Sequence, residues 1–359
     1  MLTELEKYAH KRIWWRADIR NIRSKLAQCE RRTLSPEQKK AVQAYWKGLI
    51  GKPVPLYWHE YFYSRNGCFS EKYVPTAVYH RDLICRLNFR PFARAYVDKG
   101  FYDTLFADVH RPRTIIKNMN GYFFDAHKAL TREEALERCA SLPGAVIKPS
   151  LMGMWGNSIR VFSSSDGKLD NGETVASLLD AYGSNFIVQE KVVQHAGMAQ
   201  LNPTSLNTLR VLSYRQGTEV FILYVIARIG RKGKSIDNET AGGINADVDL
   251  ITGRIRECAY GSPAEKRILQ TDVGTPLAGF PIPAFAETLQ LAKELHLRMP
   301  YFNLIGWDFG IDEKGLPVMI EWNRAPDLSQ TAHGPAFGEL TETIVREAQR
   351  HPDTFRMIF

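Results

Sequence analysis

The feature that most constrains this chain is a hairpin near its C-terminal end. Two apolar runs, Gly306-Trp307-Asp308-Phe309-Gly310 and Val318-Met319-Ile320-Glu321-Trp322-Asn323, flank Asp312-Glu313-Lys314-Gly315, a turn sequence of the kind that joins antiparallel strands. If the turn centres on Lys314, Asp308 and Glu321 face each other across the ladder. The strand period of two then puts Asn323 on the face of Glu321. Two carboxylates and a carboxamide converge among hydrophobic neighbours, where an unpaired charge is costly. Hard oxygen ligands of this sort suit Mg²⁺ held against nucleotide phosphates. Two solvated carboxylates at a sheet edge are the ordinary alternative.

A chain of 359 residues has room for two or three compact units around this hairpin. With 44% hydrophobic and 24% charged residues it falls among globular proteins. The longest apolar run, Val220 to Ala227, reads as a buried strand, so no stable membrane insertion is expected. The opening Met1-Leu2-Thr3-Glu4-Leu5-Glu6-Lys7 lacks the basic-then-apolar form of a signal peptide. Cys29, Cys68, Cys85, Cys139 and Cys258 show no CxxC spacing, which predicts reduced thiols in the cytoplasm and neither a disulfide framework nor a zinc site. The net charge of +8 favours anionic partners: an ATP cleft, an acidic substrate, nucleic acid or an anionic membrane surface. With no RNA-binding signature and no Cys/His finger, nucleic acid is not expected. A homo-oligomer stays open.

Residues 1–95 form a basic, aromatic-rich helical section. Trp15, Ile19, Ile22 and Leu26 fall at helical spacing among Arg12, Arg16, Arg20, Arg23 and Lys25. Ser35-Pro36-Glu37-Gln38 opens a second helix with a cap, a proline at the first position and a capping-box glutamine; Gly48 or Gly51 ends it. Basic helices of this kind could hold an acidic substrate or lie on a membrane, or simply expose solvated arginines. From Asp98 onward strands and helices alternate. Strands are expected at Ala145–Lys148, Phe186–Val193, Leu206–Tyr214, Glu219–Ile229, Leu304–Ile311 and Pro317–Trp322, with helices at Thr131–Cys139 and Pro283–Met299. Antiparallel hairpins mixed with helices imply an α+β fold over a parallel doubly wound sheet.

Between these elements lie the candidate binding groups. Val146-Ile147-Lys148 delivers a lysine to Leu151-Met152-Gly153-Met154-Trp155-Gly156-Asn157-Ser158, where Gly153, Gly156 and Ser158 let backbone N–H groups approach phosphate. No GK[ST] follows, so this is not a Walker loop. The strand Phe186 to Val192, with Gln189 among its cofactor-binding candidates, could present its backbone to an adenine, with Glu190 near the amino group or ribose; a buried strand ending in solvent is the alternative. Arg210 and Arg228 sit on two strands of a hairpin turning at Gln216-Gly217, and arginine suits a phosphate or acyl phosphate through bidentate bonds.

This order of parts resembles the ATP-grasp superfamily. The likeness to its sugar-transfer-associated branch is closer still, through Tyr73-Val74-Pro75, Asp98-Lys99, Gln189-Glu190, the run Leu201 to Arg210 and Ile305-Gly306-Trp307-Asp308. The resemblance implies two α+β subdomains clamping ATP behind a helical N-terminal section. The expected division is 1–95 as that section, with an acceptor role, 96–190 as the lid subdomain and 191–359 as the subdomain bearing the metal hairpin. It implies Lys99 and Lys148 as the phosphate lysines and Asp308, Glu321 and Asn323 as ligands of Mg²⁺, for which Mn²⁺ could substitute. Arg228 … Asn238 … Gly242-Gly243 looks like the R…N…GG stretch of the superfamily's amino-acid ligases, so Arg210, Arg228 and Asn238 become the candidate catalytic groups. Two departures stand out. Gly306 occupies the place of an arginine that many of these ligases carry, and Met152, Met154 and Trp155 stand where smaller residues are common.

The activity so implied is ATP-dependent carboxylate–amine ligation through an acyl phosphate. It would use small-molecule carboxylate and amine substrates, amino-acid or sugar-linked, and release ADP and phosphate. The chemistry needs positioning, charge compensation and exclusion of water, for which a loop around 150–158 is expected to close. The branch's association with polysaccharide-building enzymes hints at a sugar or amino-acid acceptor. A kinase on the same scaffold, with His195 or His333 as base, and a non-catalytic ATP-binding protein are the rivals.

Overall fold

The computed structural model of the chain describes residues 4–151, 159–235, 237 and 242–354. Two all-antiparallel sheets stand at its centre, and their strands are numbered in chain order. The first sheet has seven strands: β1 (Thr114–Met119), β2 (Tyr122–Phe124), β3 (Ala129–Leu130), β4 (Leu142–Pro149), β5 (Arg160–Ser165), β6 (Lys168–Leu169) and β7 (Phe186–Glu190). Their order is β3-β2-β1-β7-β4-β5-β6, which puts β7 between β1 and the lysine-bearing β4. Inward Ile116, Ala145, Ile147, Phe186 and Val188 meet the helices Arg132–Arg138 and Val175–Tyr182 through Ala135, Leu178 and Leu179. The first of these helices is capped by a Thr131–Glu134 capping box.

The second sheet contains β8 (Thr208–Gln216), β9 (Glu219–Ile229), β10 (Ile244–Val248), β11 (Ile255–Tyr260), β12 (Leu304–Ile311) and β13 (Pro317–Asn323), in the order β11-β10-β9-β8-β12-β13. One face buries Leu209, Val211, Val225, Ala227, Trp307 and Phe309 against the helix Phe285–Leu297. The other face is divided. Its apolar part, Leu212, Tyr214, Tyr224, Ile226 and Leu304, lies under the N-terminal helices and the helix Thr341–Arg350. Its polar part carries the candidate site.

The N-terminal section comprises α1 (Glu4–Ala27), α2 (Pro36–Ile50) and α3 (Tyr57–Asn66), followed by short helical turns. The expected capping box is present at α2: the Gln38 N–H donates to Ser35 Oγ (3.2 Å) and the Ser35 N–H to Gln38 Oε1 (2.9 Å). Gly51, at φ +73°, ends the helix in the left-handed region that glycine tolerates. From α1, Ile22 and Leu26 pack on Trp58, Tyr61 and Phe62 of α3. α3 was not expected, because its run of Tyr, Trp and Phe favours strands by propensity; burial against α1 overrides that preference.

The α+β organisation expected from the hairpins is the one observed. Strands β1, β2, β3, β5, β6, β10 and β11 lie outside the predicted set. β1 escaped notice because Lys117 and Asn118 interrupt its apolar pattern; both are buried, and Lys117 Nζ pairs with Asp103 at 3.0 Å. All five cysteines are free thiols. Among the described residues no helix is long and apolar enough to cross a membrane.

Candidate functional site

The hairpin register follows from the turn. Gly315, at φ +79°, donates its N–H to the Asp312 carbonyl, and Asp308 stands opposite Glu321 with Gly306 opposite Asn323. On its other side Asp308 is aligned with Arg210 of β8, and Thr208 with Arg228 of β9. Glu321, Asp308 and Arg210 thus form one row across three strands. Asp308 is only 3% exposed. Arg210 grips it with both Nε and Nη2, the latter at 2.8 Å from Oδ2. Arg228 Nη1 (3.4 Å) and the Asn323 amide (3.3 Å) also donate to Oδ2. Burial would lower the Arg210 pKa, but the Asp308 charge and hydrogen bonds raise it, so the guanidinium stays charged.

Gly306 explains how Arg210 reaches this position. A Cβ there would stand 2.6 Å from Pro326 Cβ and 3.3 Å from Arg210 Cδ. The place where many ligases of the superfamily carry an arginine is therefore closed to any side chain, and the Arg210 stem runs alongside it.

The facing cations come from the other sheet and its approach. Lys99 Nζ lies 3.2 Å from Glu321 Oε2. Its turn is fixed by the Asp98 carboxylate, which accepts from the Gly100 N–H at 2.9 Å, and by the Lys99 N–H, which donates to the Ser150 carbonyl at 2.9 Å. Lys117 Nζ braces the same turn through the Gly100 carbonyl (2.8 Å). Lys148, at the end of β4, is 7% exposed and makes no ion pair within 4.0 Å among the described residues. Burial, reinforced by the Lys99 charge, lowers its pKa to about 8 despite opposing help from Glu321 and Asp308. Burial alone would raise the Glu321 carboxyl; Lys99, Lys148 and Arg210 together hold it well below the usual carboxylate range.

Two cavities flank this cluster. The larger, about 960 Å³, lies between the sheets and is lined by Lys148, Gln189, Glu190, Val192, Thr208 and Asp237 among others. The smaller, about 510 Å³, is lined by Arg210, Arg228 and Glu321 together with Asp18, Trp58 and His80 from the N-terminal section.

Of the residues singled out from sequence, Lys99, Lys148, Arg210, Arg228, Asp308, Glu321 and Asn323 converge. Gln189, Glu190 and Val192 line the larger cavity, although Gln189 Nε2 donates to the Pro112 carbonyl (3.2 Å) and Glu190 pairs with Arg113. Gly153, Gly156, Ser158 and Asn238, like Met152, Met154 and Trp155, lie outside the described residues. His195 and His333 do not line the smaller cavity: the former caps a short helix through Nδ1, and the latter bonds Asp247 at 2.9 Å. Three groups went unnoticed. Asp18 and His80 meet in space across 62 positions, with no local signal. Asp237 is buried where both the Thr208 N–H (3.0 Å) and its hydroxyl donate to it, and burial pushes its carboxyl up to about 6.

The donor set can be tested against a hard cation. Among the described residues no three His, Cys, Asp or Glu side chains form a metal cluster. Asp308 and Glu321 nevertheless offer oxygens with lone pairs beyond those their cation partners use, and Asn323 keeps its Oδ1 while its amide donates. Two carboxylates and one amide oxygen are the kind of donors a hard cation such as Mg²⁺ takes.

A sequence profile described as "Sugar-transfer associated ATP-grasp" matches residues 79–344. No curated protein matches the chain. Among solved structures it is similar to the ATP-grasp ligase PsnB complexed with a phosphomimetic variant of its minimal precursor, Mg and ADP. That match has 12% identity and a TM-score of 0.40 over 73% of this chain and 61% of that one. D-alanine–D-alanine ligase from Bacillus anthracis complexed with ATP matches at 11% identity and TM-score 0.40, over 71% of this chain and 65% of that one. Biotin carboxylase from Campylobacter jejuni matches at 11% and 0.42, over 72% and 47%. The chain spans less than two thirds of the length of each.

Proposed function

The chain belongs to the sugar-transfer-associated ATP-grasp family, and we propose that it is an ATP-dependent carboxylate–amine ligase working through an acyl phosphate. The observation that carries this reading is one charged cluster between two cavities, with Lys148 on the wall of the larger and Arg210, Arg228 and Glu321 on the wall of the smaller. The nucleotide takes the larger cavity, its base along Gln189 to Val192 and its polyphosphate toward Lys99 and Lys148. The smaller cavity takes the acid and the amine. Residues 96–190 act as the lid, 191–359 carry the metal hairpin, and 1–95 shape the acceptor side.

Lys148 supplies a positive charge, without an ion-pair partner within 4.0 Å among the described residues, where phosphate charge has to be neutralised. Asp308, Glu321 and Asn323 would hold Mg²⁺, which supplies charge neutralisation and orientation at the polyphosphate. A substrate carboxylate attacks the γ-phosphorus and ADP leaves; an amine then attacks the acyl carbon and expels phosphate. Arg210 is committed to Asp308 by two bonds, whereas Arg228 makes one long contact and is 19% exposed. Arg228 is therefore the arginine able to turn to the acyl phosphate.

The test is product analysis after incubation with Mg²⁺, ATP and pooled amino acids, amino sugars and uronic acids. ADP and free phosphate that require both an acid and an amine establish ligation. Asp308→Asn is expected to weaken metal dependence and cut turnover while the fold survives, and Lys148→Ala to raise the KM for ATP. Full Mg²⁺-dependent turnover in Asp308→Asn would sink the metal assignment. A second reading, phosphoryl transfer to a hydroxyl, is favoured by the His80–Asp18 pair in the smaller cavity. A phosphorylated acceptor without free phosphate would establish it.

A further inference from the structure

We propose that His80, oriented by Asp18, is the base that takes a proton from the acceptor nucleophile in the smaller cavity. The inference rests on the assignment of that cavity to the acceptor, but not on whether the nucleophile is an amine or a hydroxyl. His80 Nδ1 lies 3.3 Å from Asp18 Oδ2. An ionised carboxylate only accepts, so Nδ1 is the donor of this bond and the neutral ring keeps its lone pair on Nε2. Asp18 is 13% exposed and His80 28%, and both line the cavity that Arg210, Arg228 and Glu321 also line. The carboxylate is the shielded member and the imidazole the accessible one, as a base and its orienting group require.

The backbone supplies a second, independent observation. Tyr79–Leu83 winds as a π-helical turn between the helical turns Thr76–Val78 and Ile84–Leu87. Such widened turns carry an extra residue and recur at functional sites. Here consecutive Tyr79 and His80 both reach the cavity. Tyr79 is anchored by donating to the Pro326 carbonyl at 2.9 Å, which fixes the turn against the loop that follows the metal hairpin.

The proton balance closes for either nucleophile. An alkylammonium must lose two protons on its way to an amide: one to free the nitrogen lone pair that attacks the acyl carbon, and one as the C–N bond forms and the C–O bond to phosphate breaks. His80 Nε2 takes one, and the departing phosphate leaves with the other as hydrogen phosphate. A hydroxyl attacking the γ-phosphorus loses one proton, to Nε2, while ADP departs. His80 is the catalytic residue of this step and Asp18 a positioning residue.

The test uses the full chain with His80→Gln and Asp18→Asn, after confirming that each binds Mg-ADP like the wild type. With the pooled acids and amines, His80→Gln is expected to lower acceptor-dependent kcat by roughly 100-fold or more at unchanged KM for ATP. Hydroxylamine, a strong nucleophile that needs no base, is expected to give hydroxamate at the wild-type rate. Unchanged turnover with amines overturns the proposal, and so does a parallel loss of hydroxamate. If the wild type forms no hydroxamate but phosphorylates a hydroxyl, the ligase reading fails and the same variant tests the base in that reaction. Nitrogen-15 spectra of the imidazoles supply a readout independent of substrate. The resonance missing in His80→Gln should report an Nδ1–H tautomer that Asp18→Asn abolishes. A ring protonated on Nε2 alone overturns the assignment.

Discussion

The two sheets carry charge in opposite ways. On the six-stranded sheet, Asp308 is buried and well partnered: Arg210 binds it twice, and Arg228 and Asn323 also donate to it. On the seven-stranded sheet, Lys148 is equally buried and has no direct counter-ion among the described residues. The first arrangement is held in place by its own neighbours and fixes the β8–β12–β13 face. The second is incomplete, and an anion would complete it. The contrast separates a carboxylate whose place is fixed by its neighbours from a lysine whose charge is left for a ligand.

Breaking the finished network has the largest expected effect. Arg210→Met leaves a buried carboxylate with only its two weaker contacts, and loss of one partner of a buried pair costs roughly 3–5 kcal/mol. Urea unfolding should show that loss, together with a collapse of turnover. Lys148→Met should do the reverse to stability. Pushing a lysine from 10.5 down to about 8 costs the charged folded form about 3 kcal/mol. That penalty is complete below pH 8, where folded and unfolded chains are both protonated. It fades between pH 8 and 10.5, as the folded protein sheds the proton first. Lys148→Met should therefore unfold at higher urea than wild type at pH 7.5 and at equal urea near pH 10.5, while losing affinity for ATP. A drop in stability at pH 7.5 would mean that Lys148 is as well compensated as Arg210, and the contrast would fall.

The same contrast marks how far the sequence could be read. The Asp308–Glu321 pairing was legible because a strand period and a turn are local signals. Lys148 was legible because a strand delivers it to a glycine-containing loop. The Arg210–Asp308 grip was not, since it depends on β8 lying beside β12, a pairing of segments 98 positions apart. His80 was missed for the same reason: its partner is on a helix that only tertiary packing brings near. Gly306 could be seen as a departure from the superfamily's pattern, but its cause, Pro326 and Arg210 filling the space, exists only in three dimensions.

Gly306→Ala sharpens the comparison more gently. Its methyl would sit 2.6 Å from Pro326 Cβ, and overpacking of this kind costs about 1–3 kcal/mol. Because Arg210 Cδ is the other near neighbour, the substitution should loosen the grip on Asp308 and lower kcat more than it alters the KM for ATP. An alanine variant with wild-type stability and turnover would show that Pro326 yields freely, and that the glycine does not set the position of Arg210.

The smallest effect is expected at the rim of the seven-stranded sheet. Glu190 and Arg113 form an ion pair with side chains 46% and 69% exposed, and exposed pairs contribute under about 1 kcal/mol. Glu190→Gln should thus leave the unfolding midpoint nearly unchanged at any salt concentration. Glu190 also lines the larger cavity, and a carboxylate that accepts from a ribose hydroxyl adds about 1 kcal/mol net to binding, so the KM for ATP should rise about fivefold. An unchanged KM would assign Glu190 to the Arg113 linker alone. Nucleotide affinity on this sheet would then rest on the desolvated Lys148 and the backbone of β7, where a group without a partner gains most from a bound anion.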